Sequence, residues 1–277
     1  MSRIMMSKET LISQARKFDY KPENYEKVYK LLFVLEQFMS VPYLKDRLVL
    51  KGGTALIEQQ RAPTQHAGGK NVWKYDSALG QKGNLEIDLN YMFRNPLWPI
   101  IELESKLSFS NSLKVPVLDI HELASGKLSA LFARKVSRDF FDAHYLLTKC
   151  NLSKSKLRET FVVYAAFSTS LVEDVSIKSV QYDVIDIRNK LFPVLKQKET
   201  SRKKIHIEKW ANQLLSELRG SLSIILPLQK NELDFIRLIR EQGEIKPELI
   251  TDNESLIESI LMHPLLKWNA MKVHMKK

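Results

Sequence analysis

Cysteine is almost missing from this chain: Cys150 is the only one in 277 residues. No disulfide can close within the chain, which fits a reducing compartment and argues against the disulfide-stapled secreted folds. The His and Cys spacings match no zinc site. Apolar runs are short, and none approaches the ~20 residues that a membrane-spanning helix needs. The first residues, Met1 to Glu9, lack the apolar core of a signal peptide. A cytoplasmic protein is therefore expected. Internal repeats and low-complexity tracts are also lacking.

What remains has the composition of an ordinary globule, with 44% hydrophobic and 27% charged residues. The length allows a sizeable core in one large or two smaller domains. The net charge of +11 and a pI near 9.5 favour an anionic partner, with nucleic acid the first candidate. Basic excess is even along the chain: 22 Lys/Arg against 16 Asp/Glu in residues 1–150, and 21 against 16 in 151–277. A basic patch would therefore have to be assembled by folding. Local basic clusters stand at Arg202-Lys203-Lys204 and at the end, Lys272 to Lys277.

The most informative stretch is Asn84-Leu85-Glu86-Ile87-Asp88-Leu89-Asn90. It alternates polar and apolar at every step, as a strand with one buried face does. A strand through Asn90 would turn Leu85, Ile87 and Leu89 to a core. Glu86 and Asp88 would share the other face, where two carboxylates repel each other unless a cation lies between them. Such a pair is able to hold Mg²⁺ for phosphoryl or nucleotidyl transfer. An acidic, solvated edge strand has the same pattern.

Upstream, the short apolar run Leu48-Val49-Leu50 reads as a strand leading into Lys51-Gly52-Gly53-Thr54. Residues 55–61 then read as a helix. Glycines let a backbone approach phosphate, and a helix N-terminus offers unpaired N–H groups. Thr54 would cap that helix or bind a phosphate oxygen. The spacing is neither a P-loop nor a dinucleotide fingerprint. A tight turn before a capped helix reads the same way.

A third block runs from His121 to Leu131 and on to Arg138-Asp139-Phe140-Phe141-Asp142. As a helix, residues 121–134 place Leu123, Ala124, Leu128 and Leu131 on one stripe, with Lys127 inside it. A lysine there must reach out to water or find an anionic partner. Ser137 reads as an N-cap with Asp139 in the first turn, where the helix dipole favours an acid. Asp142 lies one turn on.

Together, Lys51-Gly52-Gly53-Thr54-Ala55-Leu56, the acidic strand and the third block resemble the AbiEii/AbiGii toxin family of nucleotidyltransferases, which have a minimal polymerase-beta-like fold. The blocks stand in the family's order over residues 48–149. The strand departs from the commoner Ser-x-Asp-x-Asp: Asn84 stands for Ser and Glu86 for the first Asp. The resemblance implies transfer of NMP from an NTP, with Glu86 and Asp88 as Mg²⁺ ligands. It implies nucleotide binding by Lys51, Gly52, Gly53 and Thr54. Lys127, Asp139 and Asp142 are implied in catalysis, Asp139 before Asp142. It further implies a toxin of a bacterial toxin–antitoxin or abortive-infection system, the 3′ end of tRNA as acceptor, and a cognate antitoxin as partner. Two alternatives stay open: transfer to a protein or small molecule, and a non-catalytic nucleic-acid or protein-binding module on a decayed transferase fold.

The expected architecture is α+β. Residues 1–119 would form the transferase core, with N-terminal helices over 9–45 and a small mixed sheet that includes a strand at 114–119. Residues 120–277 would be mostly helical and complete the active site. Helices are expected at 121–134, 138–149, 154–170, 207–218, 231–243 and 254–262, with Gly220 and Gly243 as helix ends. Residues 62–83 read as a long loop in which Trp73 or Tyr75 would stack on a base or anchor the loop.

Overall fold

The computed structural model describes residues 6–52, 71–90, 92–105, 113–168, 175–196 and 206–275. The chain divides into two compact units. The first comprises Met1–Leu89, Ile101–Val117 and Arg188–Ile207, and the second Asn90–Ile100, Leu118–Ile187 and Glu208–Lys277.

In the first unit, the 9–45 helical region is broken into α1 (Lys8–Lys17), α2 (Pro22–Ser40) and the single turn α3 (Pro42–Lys45). Asp19 takes the left-handed conformation at φ 63 between α1 and α2. Pro22 begins α2 with its φ already helical and no N–H to waste. Tyr20 and Tyr25 close a small core with Leu11 and Ala15 of α1. The other face of α2 carries Val28, Leu31 and Leu32 against Leu85, Leu113 and Val115 of the strands.

Those strands form two antiparallel pairs: β1 (Asn71–Asp76) with β2 (Lys82–Ile87), and β3 (Ile101–Ser105) with β4 (Leu113–Val117). Leu50 adds a single parallel bridge to Val117, its N–H donating to the Pro116 carbonyl at 2.8 Å. This is all that the described residues show of the strand expected at 48–50. A small sheet set with both senses of pairing beside many helices is the expected α+β class. β1 occupies ground read from the sequence as loop. A Cβ at Gly83 would run into the ring of its cross-strand partner Tyr75, which would have to move aside for any larger residue. The Glu26 carboxylate of α2 holds the β1–β2 turn, accepting from Ser77 Oγ at 2.5 Å and the Ala78 N–H at 2.8 Å.

The second unit holds α4 (Ile120–Arg134), α5 (Ser137–Lys149), α6 (Lys154–Phe167), α7 (Ile207–Ser221), α8 (Lys230–Arg237), α9 (Glu254–Met262) and α10 (Pro264–Met275). Its core joins Leu97 with Val162, Val163 and Ala166 of α6, Phe235 and Ile236 of α8, Leu256 and Ile260 of α9, and Leu266 of α10. Gly243 ends its helical stretch in the left-handed region at φ 74, as expected. Gly220 does not end a helix, because α7 runs on to Ser221. Pro264 is the first residue of α10 rather than a break.

Candidate active site

α4 and α5 carry the best-defined group. Asp119 caps α4, accepting the His121 N–H at 2.8 Å. Lys135 ends it in the left-handed conformation at φ 53, with its N–H on the Leu131 carbonyl. The chain turns at once into α5, whose N-cap is Val136; the expected cap, Ser137, is the first helical residue. The short Lys135-Val136 link places α5 directly against α4.

Lys127 projects from α4 with its side chain 13% exposed. Its Nζ lies 2.8 Å from Asp142 Oδ2 and 3.5 Å from Asp139 Oδ1. Both carboxylates are buried. Asp142 is thus the closer partner of the lysine, and no exposed helix residue. The second oxygen of Asp139 receives Arg134 Nη2 at 2.8 Å. Lys127 and the half-exposed Arg134 offset the two carboxylates, which is the condition for keeping those acids out of water. Arg134 was not singled out from the sequence, although it stands seven residues after Lys127 and so two turns along the same face.

A second carboxyl of α4 is more deeply buried. Glu122 Oε1 accepts the Leu97 N–H at 3.0 Å and the Trp98 N–H at 3.1 Å, and Oε2 accepts the Tyr164 hydroxyl at 3.1 Å. Burial pushes the Glu122 carboxyl up to about 7, against the pull of those three hydrogen bonds. Its contacts fasten residues 97 and 98 to α4. At the start of α4, burial alone would raise the Asp119 carboxyl, but hydrogen bonds from His121 and Lys156 hold it down at about 2. Lys156 Nζ donates to Asp119 Oδ2 at 2.8 Å. His121 Nε2 accepts the Ser153 N–H at 2.9 Å, which leaves its Nδ1 to donate to Asp119 Oδ1 at 2.7 Å.

The acidic stretch lies in the first unit. β2 ends at Ile87, which pairs with Asn71. Glu86 is therefore in the ladder, opposite Val72 and half-buried, whereas Asp88 lies beyond the strand and is exposed. The expected continuous strand through Asn90 is corrected accordingly: Leu85 is buried, Leu89 is 48% exposed, and Asn90 instead accepts the Met92 N–H in a turn. Two carboxylates one residue apart are the oxygen donors that Mg²⁺ takes, its other positions being filled by water and phosphate oxygens. The donor chemistry of Glu86 and Asp88 fits that ion. No group of three or more His, Cys, Asp or Glu that could hold a metal occurs among the described residues.

Lys51 is half-buried and Gly52 exposed, with Gly52 at φ 69, a conformation that favours glycine. Gly53 and Thr54 lie outside the described residues, as do Arg202, Lys203 and Lys204. Tyr75 packs over Gly83 with Lys30 Nζ 5.4 Å from its ring centroid, and burial pushes its phenol up to about 12. That is an anchoring role; Trp73 is 51% exposed.

No helix among the described residues is long and apolar enough to cross a membrane. A family model described as nucleotidyl transferase AbiEii toxin, type IV TA system, matches residues 57–220, more than half of the chain. The match spans Glu86, Asp88, Lys127, Asp139 and Asp142. No curated protein and no solved structure matches.

Proposed function

This chain belongs to the nucleotidyl transferase AbiEii toxin family of type IV toxin–antitoxin systems, and on that premise we propose that it moves NMP from an NTP to the 3′ end of tRNA. An antitoxin partner follows from the family. The observation that carries the reading is Lys127, a half-buried cation set between the buried carboxylates of Asp142 and Asp139 on the neighbouring helix. A core does not need such a cluster for packing, and hydrophobic residues in place of all its members together would often be neutral or stabilising.

In the proposed reaction the acceptor hydroxyl oxygen attacks the α-phosphorus in line. The bond from that phosphorus to its bridging oxygen breaks, pyrophosphate leaves, and the hydroxyl proton passes to solvent. Lys127 offsets negative charge that grows on the phosphoryl oxygens, as a fixed cation does in a dry site. Asp142 and Asp139 aim its ammonium group. Both oxygens of Asp139 are already engaged, one by Arg134 and one by Lys127, so orientation suits it better than base catalysis. Glu86 and Asp88 would hold Mg²⁺, which when bound supplies charge neutralisation for the triphosphate. Lys51, Gly52, Gly53 and Thr54 would contact the phosphates.

A second reading, a binding module without catalysis, is favoured by the position of Asp88 outside the strand ladder. One assay separates the two. Protein, Mg²⁺ and total tRNA are incubated with each α-³²P-labelled NTP, beside a Glu86→Gln/Asp88→Asn variant. Label on tRNA that disappears in the variant supports the transferase. Label on protein moves the acceptor to another class. No label anywhere, with no thermal shift by NTP, leaves the binding module.

A further inference from the structure

Helix α10 presents an outward stripe that the transfer chemistry does not use. Trp268, Met271, Lys272 and Met275 fall at spacings of three and four and so share one face. Trp268 is 42%, Met271 48% and Met275 73% exposed. The opposite face, with Leu266 and Ala270, is buried in the second unit. Asn269 ties the helix down, its amide donating to the carbonyls of Ala166 at 3.3 Å and Phe167 at 3.2 Å. The stripe is therefore held rigidly. Lys272 Nζ lies 5.1 Å from the Trp268 ring centroid. Lys267, also exposed, points its Nζ at Met262 Sδ, 3.5 Å away. From Ser259 to Lys277 the chain has four lysines and no acidic residue.

We infer that this face of α10 is a docking surface for single-stranded RNA, with a base on Trp268 and phosphates on Lys267 and Lys272. The inference rests on RNA being the acceptor and names where the acceptor is held. Aromatic rings interleaved with cations are the general means of binding a single strand, because every base offers a π-face and every nucleotide a charge. An incoming phosphate draws Lys272 from the ring, and the exposed cation–π contact it gives up is weak. Two other occupants fit less well. Trp268, Met271 and Met275 would suit a protein interface, but the centres of such interfaces are depleted in lysine, which here stands in the middle of the stripe. A helix lying in a membrane surface buries a broad apolar face, but the exposed stripe of α10 is interrupted by Lys272 and flanked by Lys267.

The test is fluorescence anisotropy of a labelled twelve-residue oligouridine over a range of salt. Trp268→Ala should weaken binding by about 5-fold or more, the lower end of a lost stacking contact. Trp268→Phe should restore most of it. Lys267→Gln/Lys272→Gln should lower the slope of log K on log salt by about 1.4, since each phosphate contact in a single strand contributes about 0.7. Each variant is checked for an unchanged melting temperature. Affinity and slope unchanged in all three would overturn the inference. So would Trp268→Ala abolishing binding to vesicles containing anionic phosphatidylglycerol while RNA binding stays intact. The RNA readout needs no turnover. If the wild-type chain binds oligouridine through Trp268 but transfers no label, the transfer reading fails and the docking surface stands.

Discussion

Replacing Glu122 with Gln should make the chain more stable at neutral pH and flatten its stability between pH 5 and 8. Glu122 is 2% exposed, and burial raises its carboxyl from 4.5 to about 7. Between those values the unfolded chain has released this proton and the folded chain still holds it. Stability from the neutral carboxyl is thus full below about pH 4.5 and is lost as pH rises through 7. The whole effect is about 3 kcal/mol, of which roughly 2.5 kcal/mol falls between pH 5 and 8. Glutamine reproduces the protonated acid. Its Oε1 accepts the Leu97 and Trp98 N–H groups, and its Nε2 donates to the Tyr164 oxygen. Urea unfolding followed by tryptophan fluorescence reads mainly the relevant unit, since three of the four tryptophans, Trp98, Trp210 and Trp268, belong to it, and the fourth, Trp73 in the first unit, is 51% exposed. The difference between Gln and wild type should grow with pH by the stated amount, other titrations cancelling. Parallel pH profiles, or a variant less stable at pH 8, would refute the reasoning.

Three other substitutions probe the frame around the site. Asp119→Asn should cost about 1–2 kcal/mol at neutral pH by weakening the charged contacts of Lys156 and His121. Because the Asp119 carboxyl is depressed to about 2, that contribution is present above 3.8 and fades as pH falls through 2, which acid titration of the melting temperature would show. Gly83→Ala should destabilise the β1–β2 pair by about 1–3 kcal/mol through the collision with Tyr75, and adding Tyr75→Ala should relieve part of it in a double-mutant cycle. Arg158→Lys should cost about 2 kcal/mol or more. The guanidinium makes 2.6 and 2.8 Å contacts to the two oxygens of Glu232 and also reaches the Ile224 and Pro227 carbonyls, a fork that an ammonium cannot imitate. Its readout is the denaturant midpoint at constant slope.

Helices with one apolar stripe were plainest in the sequence. The helix expected at 254–262 has those bounds, and α4 and α5 differ from expectation by one residue at their starts. Lys127 and its acids were legible because their signal is local: a cation inside an apolar stripe, then two acids one turn apart. Glu122 was not, since in sequence it is an ordinary first-turn acid. Its partners are 24, 25 and 42 residues away. β1 was hidden by the polar residues around it, and β3 by its almost complete exposure. The alternation at 84–90 runs on past the end of β2 at Ile87, so the position of Asp88 could not be read from it. At Gly220 the helical packing of α7 outweighs the glycine's weak propensity, whereas Gly243 needs its positive φ.

The most direct test of the central claim is the single-turnover rate of label transfer from α-³²P-NTP to tRNA by wild-type chain and by Lys127→Met, with NTP affinity measured beside it. If Lys127 acts on developing charge, the rate should fall by about 100-fold or more, read at a temperature where both proteins are folded, because loss of the cation leaves the buried Asp142 and Asp139 carboxylates short of a partner and lowers the melting temperature. Equal rates in the two proteins would contradict the account and return the Lys127–Asp142 pair to the core as a packing contact.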